Sequence, residues 1–79
     1  MVERILLKKL YNINPAKIGV FEVEDGLKYK YFAALVDKCN MEIWGEGDTP
    51  YEALVSASEK WSNSFGGFNP FNMALRSFP

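Results

Sequence analysis

Glutamates stand in two closely spaced pairs in this chain, Glu22 with Glu24 and Glu42 with Glu46. On a strand each pair projects from one face, the arrangement that acid–base or metal-assisted hydrolysis uses. Histidine is absent, which removes the commonest general base, a leading metal ligand, and nucleophile–histidine catalysis. Lys28 and Lys30 lie close enough in sequence to neutralise the first pair, so the carboxylates read as a charged sheet face and no catalytic residue is expected, with a carboxylate-dependent nuclease as the minor alternative. Cys39 is the single cysteine. It has no disulfide partner within the chain, and no clustered ligand set accompanies it, so neither a metal nor a cofactor is expected. Gly45-Glu46-Gly47-Asp48 lacks the Walker lysine and the GxGxxG spacing, and its acids repel an anion. Its glycines read as the release of the chain from a strand into a helix.

The aromatic residues suggest binding. Lys28, Tyr29, Lys30, Tyr31 and Phe32 interleave rings and cations as a single-strand nucleic-acid surface does. Alternation along a strand assigns one of those aromatic faces to the core, however. Nine basic against ten acidic residues, a net charge of −1, also give no general attraction to phosphate. Nucleic acid is therefore the alternative partner, and another protein is the expected one. Trp44, Phe65, Phe68 and Phe71 are the candidate anchors, because large aromatics dominate interface energetics. The competing reading has Trp44 covered and the three phenylalanines folded back onto the domain.

These residues need a scaffold. With 79 residues there is room for one core, in a chain that buries only about 60% of its unfolded surface. Two Trp, four Tyr and six Phe, 15% of the chain, are many side chains to bury internally, so a homodimer or a complex is expected. No apolar run of membrane-spanning length and no secretory leader is seen, giving a cytoplasmic expectation without a membrane partner. Apolar positions 2, 5, 6 and 10, with charges at 3, 4, 8 and 9, predict a short N-terminal helix ended by Asn14-Pro15, with a strand over Arg4 to Leu7 as the competing assignment. A hairpin follows, in which a three-residue loop at Glu24-Asp25-Gly26 pairs Val23 with Leu27, Glu22 with Lys28 and Phe21 with Tyr29. Met41 to Glu46 supplies a third strand. Thr49-Pro50-Tyr51-Glu52 carries an N-cap, a first-turn proline and a capping-box glutamate. The helix launched there has a stripe of Ala53, Leu54, Ala57, Ser58 and Trp61 to lay on the sheet. The expected fold is α+β: a three-stranded antiparallel meander with a packed helix after it, forming one domain over residues 1–64. Residues 65–79 form a Phe/Gly/Asn-rich tail in which Gly66, Gly67 and Pro70 oppose regular structure, save one helical turn over Met73 to Phe78.

Val20-Phe21-Glu22-Val23-Glu24-Asp25-Gly26, Tyr31-Phe32-Ala33-Ala34-Leu35-Val36-Asp37 and Gly47-Asp48-Thr49-Pro50-Tyr51-Glu52-Ala53-Leu54 together resemble the HicB-like antitoxin domain over about residues 18–61. The resemblance implies a small sheet with a packed helix and a role as protein inhibitor of a small ribonuclease toxin. Lys38-Cys39-Asn40 stands where that family commonly has Leu-Pro-Gly, and no C-terminal DNA-binding domain fits here. An inhibitor of a host defence or nucleic-acid enzyme, encoded by a phage, is a variant of the same expectation.

Overall fold

A computed structural model describes residues 5–13, 16–24, 30–36 and 44–78. Among them, β1 (Ile5–Ile13), β2 (Ala16–Val23), β3 (Tyr31–Leu35) and β4 (Trp44–Gly47) form one antiparallel sheet in sequential order, followed by α1 (Pro50–Ser64) and α2 (Pro70–Arg76). The fold is α+β as expected, with four described strands in place of three.

The additional strand replaces the predicted N-terminal helix. β1 pairs with β2 from Ile5 opposite Val23 to Ile13 opposite Ala16, with a register shift between Leu7 and Lys9. This bulge puts two residues against one and changes which face the strand presents. Ile5 and Leu7 stand opposite Val23 and Phe21, and beyond the bulge Leu10 stands opposite Gly19, so all three share one face although Leu7 and Leu10 are three apart. The predicted helical stripe joins Ile5 and Leu10 with Leu6, which stands opposite Glu22 on the other face of the strand, so its spacing is matched by residues from two faces.

The hairpin register is also corrected. Phe21 faces Phe32, not Tyr29, and Glu22 faces Tyr31, not Lys28. The Val23 N–H donates to the Lys30 carbonyl at 2.8 Å, so the connection is longer than three residues; Asp25 to Tyr29 lie outside the described residues. This register sets Ile18 against Leu35 and Val20 against Ala33. The alternative would put Lys30 opposite Val20, a lysine among core side chains, where an unpaired charge is costly.

One layer of helices covers one face of the sheet. Ile18, Val20, Ala33 and Tyr11 pack with Ala53, Leu54 and Ala57 of α1 and with Phe71 and Ala74 of α2. The stripe predicted for α1 is thus the buried one, with Ser58 and Trp61 half-buried beside it. Full burial of side chains such as Leu54, Ile18 and Phe71 stabilises by about 1.5–3 kcal/mol each.

The helix start follows the expected cap, except that the Glu52 carboxylate reaches the N–H one residue before the N-cap and not that of Thr49 itself. Thr49 is extended and its Oγ1 accepts from Glu52 N–H at 3.1 Å, while the Glu52 carboxylate accepts from Asp48 N–H at 3.1 Å. Gly45 and Gly47 bring β4 against this helix. A Cβ on Gly45 would meet the Ala53 carbonyl and the Ala57 backbone, 2.8 Å from Ala57 Cα, and one on Gly47 would lie 2.6 Å from Glu52 Cβ.

Phe65 to Asn69 are irregular as expected, but the single helical turn expected over Met73 to Phe78 is a helix that starts earlier, at Pro70. Asn69 caps α2 and Pro70 occupies its first turn, where the missing N–H costs no hydrogen bond. Phe71 and Ala74 on this short helix are completely buried.

Candidate functional site

The corner between α1 and α2 holds displayed aromatic side chains on a fixed backbone. Gly66 and Gly67 adopt left-handed φ values of 71° and 66°, which only glycine takes without penalty, and so end α1 sharply. Asn69 secures the other side. Its Nδ2 donates to the Ser58 carbonyl at 3.0 Å and to the Ser58 and Ser62 hydroxyls at 3.1 Å, while its Oδ1 accepts from Phe71 and Asn72 N–H at 3.0 and 3.2 Å. One side chain thus caps α2 and ties it to α1.

Trp61 organises the rings. Its indole N–H donates to the Phe68 carbonyl at 2.8 Å, its ring lies 4.7 Å from that of Phe65, and it meets Phe71 edge-on at 6.1 Å. Phe65 and Phe68 nevertheless remain 54% and 57% exposed. Two of the expected anchors are therefore displayed. Phe71 is corrected: it lies fully buried in the core, because α2 carries it inward. For Trp44 the structure describes the backbone position opposite Ala34, and its side chain lies outside the described residues.

The alternative nucleic-acid surface does not form one platform among the described residues. Tyr31 packs against the core on the helix side, and alternation turns the adjacent Phe32 to the opposite face. Lys30 is exposed, while Lys28 and Tyr29 lie outside the described residues. Of the carboxylates, Glu22 pairs with Lys8 at 3.4 Å, and this lysine belongs to the bulge, not to the hairpin partner strand. Glu42 and Cys39 lie outside the described residues.

Two features escaped sequence reasoning. Asn69 as a double tie was detectable in principle, since Asn69-Pro70 repeats the cap-then-proline order of Thr49-Pro50. The second is an open hollow of about 200 Å³ lined by Lys8, Lys9, Tyr11, Val20, Pro50 and Phe78, below the roughly 300–1,000 Å³ of ligand pockets. Lys9 lies over the Tyr11 ring, 5.5 Å from its centroid, and burial raises the Tyr11 hydroxyl above its ordinary pKa of 10.0. Among the described residues, no helix is long and apolar enough to cross a membrane.

Fold and corner together define a small two-layer α+β domain that displays aromatic side chains from a braced helix junction. The chain is 61% identical over 75 residues to ORF77, an uncharacterized protein of Acidianus filamentous virus 1 (isolate United States/Yellowstone), across 95% of this chain and 96% of that relative. It belongs to the same family as that viral protein. No family model matches the chain, and no solved structure matches it.

Proposed function

We propose that this is a non-enzymatic protein-binding protein that inhibits its target by covering it, antitoxin-like in its logic and viral in its setting. The observation that carries the reading is the braced display of Phe65 and Phe68, each more than half exposed, on a corner fixed by Trp61 and Asn69. Exposed rings on a backbone already fixed lose less conformational freedom on docking than rings on a free loop, which makes them effective anchors. Kinship with a viral protein supports a host enzyme as target, of the defence or nucleic-acid-processing class. The inhibitor requires no cofactor or metal.

The test compares wild type with a Phe65→Ser, Phe68→Ser double variant as baits in host extract, with circular dichroism confirming that both are folded. A partner held by wild type and lost at least about tenfold by the variant is expected, since anchor rings contribute about 2 kcal/mol or more. Equal recovery of the same partner by both baits would remove the corner as the binding site. An oligonucleotide column run at low salt bears on the alternative, because phosphate-driven retention weakens steeply as salt rises.

A further inference from the structure

The sheet face away from the helices is apolar where a two-layer fold normally carries polar side chains. Ile5, Leu7 and Leu10 project there from β1, at 54%, 53% and 47% exposure, and Val36 extends it past the end of β3 at 37%. Half-buried Phe21 fills the centre. Its ring lies over Gly19, where an added Cβ would stand 2.8 Å from two ring carbons and 3.1 Å from Val36 Cγ1. Glycine therefore lets the ring lie down and keeps the face level. Among the described residues, the charged positions of this face stand at its margins: Lys17 at one end, Lys30 at the other, and Glu46 on β4 opposite Phe32.

We infer that this face is the interface of a two-fold homodimer, in which two sheets pack face to face and the helices lie outside, in α–β–β–α order. The surface differs from the Phe65–Phe68 corner, so the proposal stands apart from the inhibitor reading. Area favours a second copy. Four strands about 4.8 Å apart and seven residues at about 3.4 Å each give a flat footprint of roughly 450 Å², so two copies with side-chain relief bury about 1,000 Å², the threshold of a specific interface. Charge favours it too. A margin bearing both signs complements itself through a two-fold axis, whereas a strongly acidic or basic partner would meet like charge on part of it. Level sheet faces pack about 10 Å apart at roughly −30°, with side chains interdigitating.

The experiment is sedimentation velocity on the full chain between about 1 and 500 µM, the range in which micromolar association registers. Wild type is expected to approach twice the 9.0 kDa chain mass. Leu7→Arg and Leu10→Arg, each at an exposed position and checked for fold by circular dichroism, are expected to weaken the dimer at least about tenfold. Phe65→Ser, Phe68→Ser is expected to leave it unchanged. Isotope-filtered NMR on wild type supplies a readout independent of any variant, with contacts between copies expected at Leu10 and Phe21. A wild type that stays monomeric throughout overturns the proposal. So does a dimer indifferent to both arginine variants, or one whose contacts between copies fall at Phe65 and Phe68 or along the outer edge of β1.

Discussion

Asn69 uses both ends of its amide, and the two ends can be separated. Asn69→Asp keeps the oxygen that caps α2 but replaces the donor facing the Ser58 carbonyl and the Ser58 and Ser62 hydroxyls. The expected cost is about 1–3 kcal/mol, the range for depriving part-buried acceptors of their donor, read as a lower denaturant midpoint with helix content retained. Tyr11 gives a second prediction. Its pKa is raised in the folded chain by burial, so the folded state holds the hydroxyl proton to higher pH than the unfolded state does. That contribution is complete below the ordinary value of 10.0 and is lost as pH rises through the folded value. Urea midpoints measured from about pH 8 to 11.5 should fall at the alkaline end, and Tyr11→Phe should lack that part of the fall.

Close approach of β4 and α1 is the element-scale feature most sensitive to change. Gly45→Ala places a methyl group against backbone atoms at Ala53 and Ala57, which no rotamer change relieves, so at least about 2 kcal/mol of stability should be lost. Gly66→Ala meets nothing within 4 Å and is opposed only by its φ of 71°, at about 1 kcal/mol. Chemical denaturation of the two variants side by side separates crowding from backbone strain. The same elements show how far the chain was legible before its structure. Thr49, Pro50 and Glu52 announced α1 because capping is local, and Ala53, Leu54 and Ala57 announced its buried face because one helix surface meets one sheet. β2 was harder, since Ile18 and Val20 on one side and Phe21 and Val23 on the other are equally apolar. Alternation alone does not say which pair faces the helices. Phe71 was hidden for another reason: its burial depends on the direction of the α1–α2 corner, which tertiary contacts through Asn69 and Trp61 decide.

At the scale of the whole molecule, a single helical layer is asked to shield a sheet that is apolar on both sides. Tyr11, Ile18 and Val20 are closed in by α1 and α2, while Leu7 and Leu10 on the opposite face stay about half exposed. Small domains of this kind commonly complete their burial by association, which connects an aromatic-rich composition to the proposed pairing of copies. In such a pair the Phe65–Phe68 corners belong to the outer helical layers, so binding a target and forming the dimer do not compete for surface. The sequence supplied the candidate phenylalanines but not their exposure: Phe65 and Phe68 are displayed and Phe71 is buried. The rigidity of the site was not legible either, because that comes from bonds between distant residues, Trp61 with Phe68 and Asn69 with Ser58. The bulge in β1 has a further consequence. It divides the strand into two frames: upstream, odd-numbered residues look outward, and downstream, even-numbered ones do. Removing one residue there would fuse the frames, so that one half of β1 has to exchange its outward and inward side chains. Length at this point is therefore held more tightly than residue identity, and a family member altered in length there must have rebuilt half the strand to keep both surfaces.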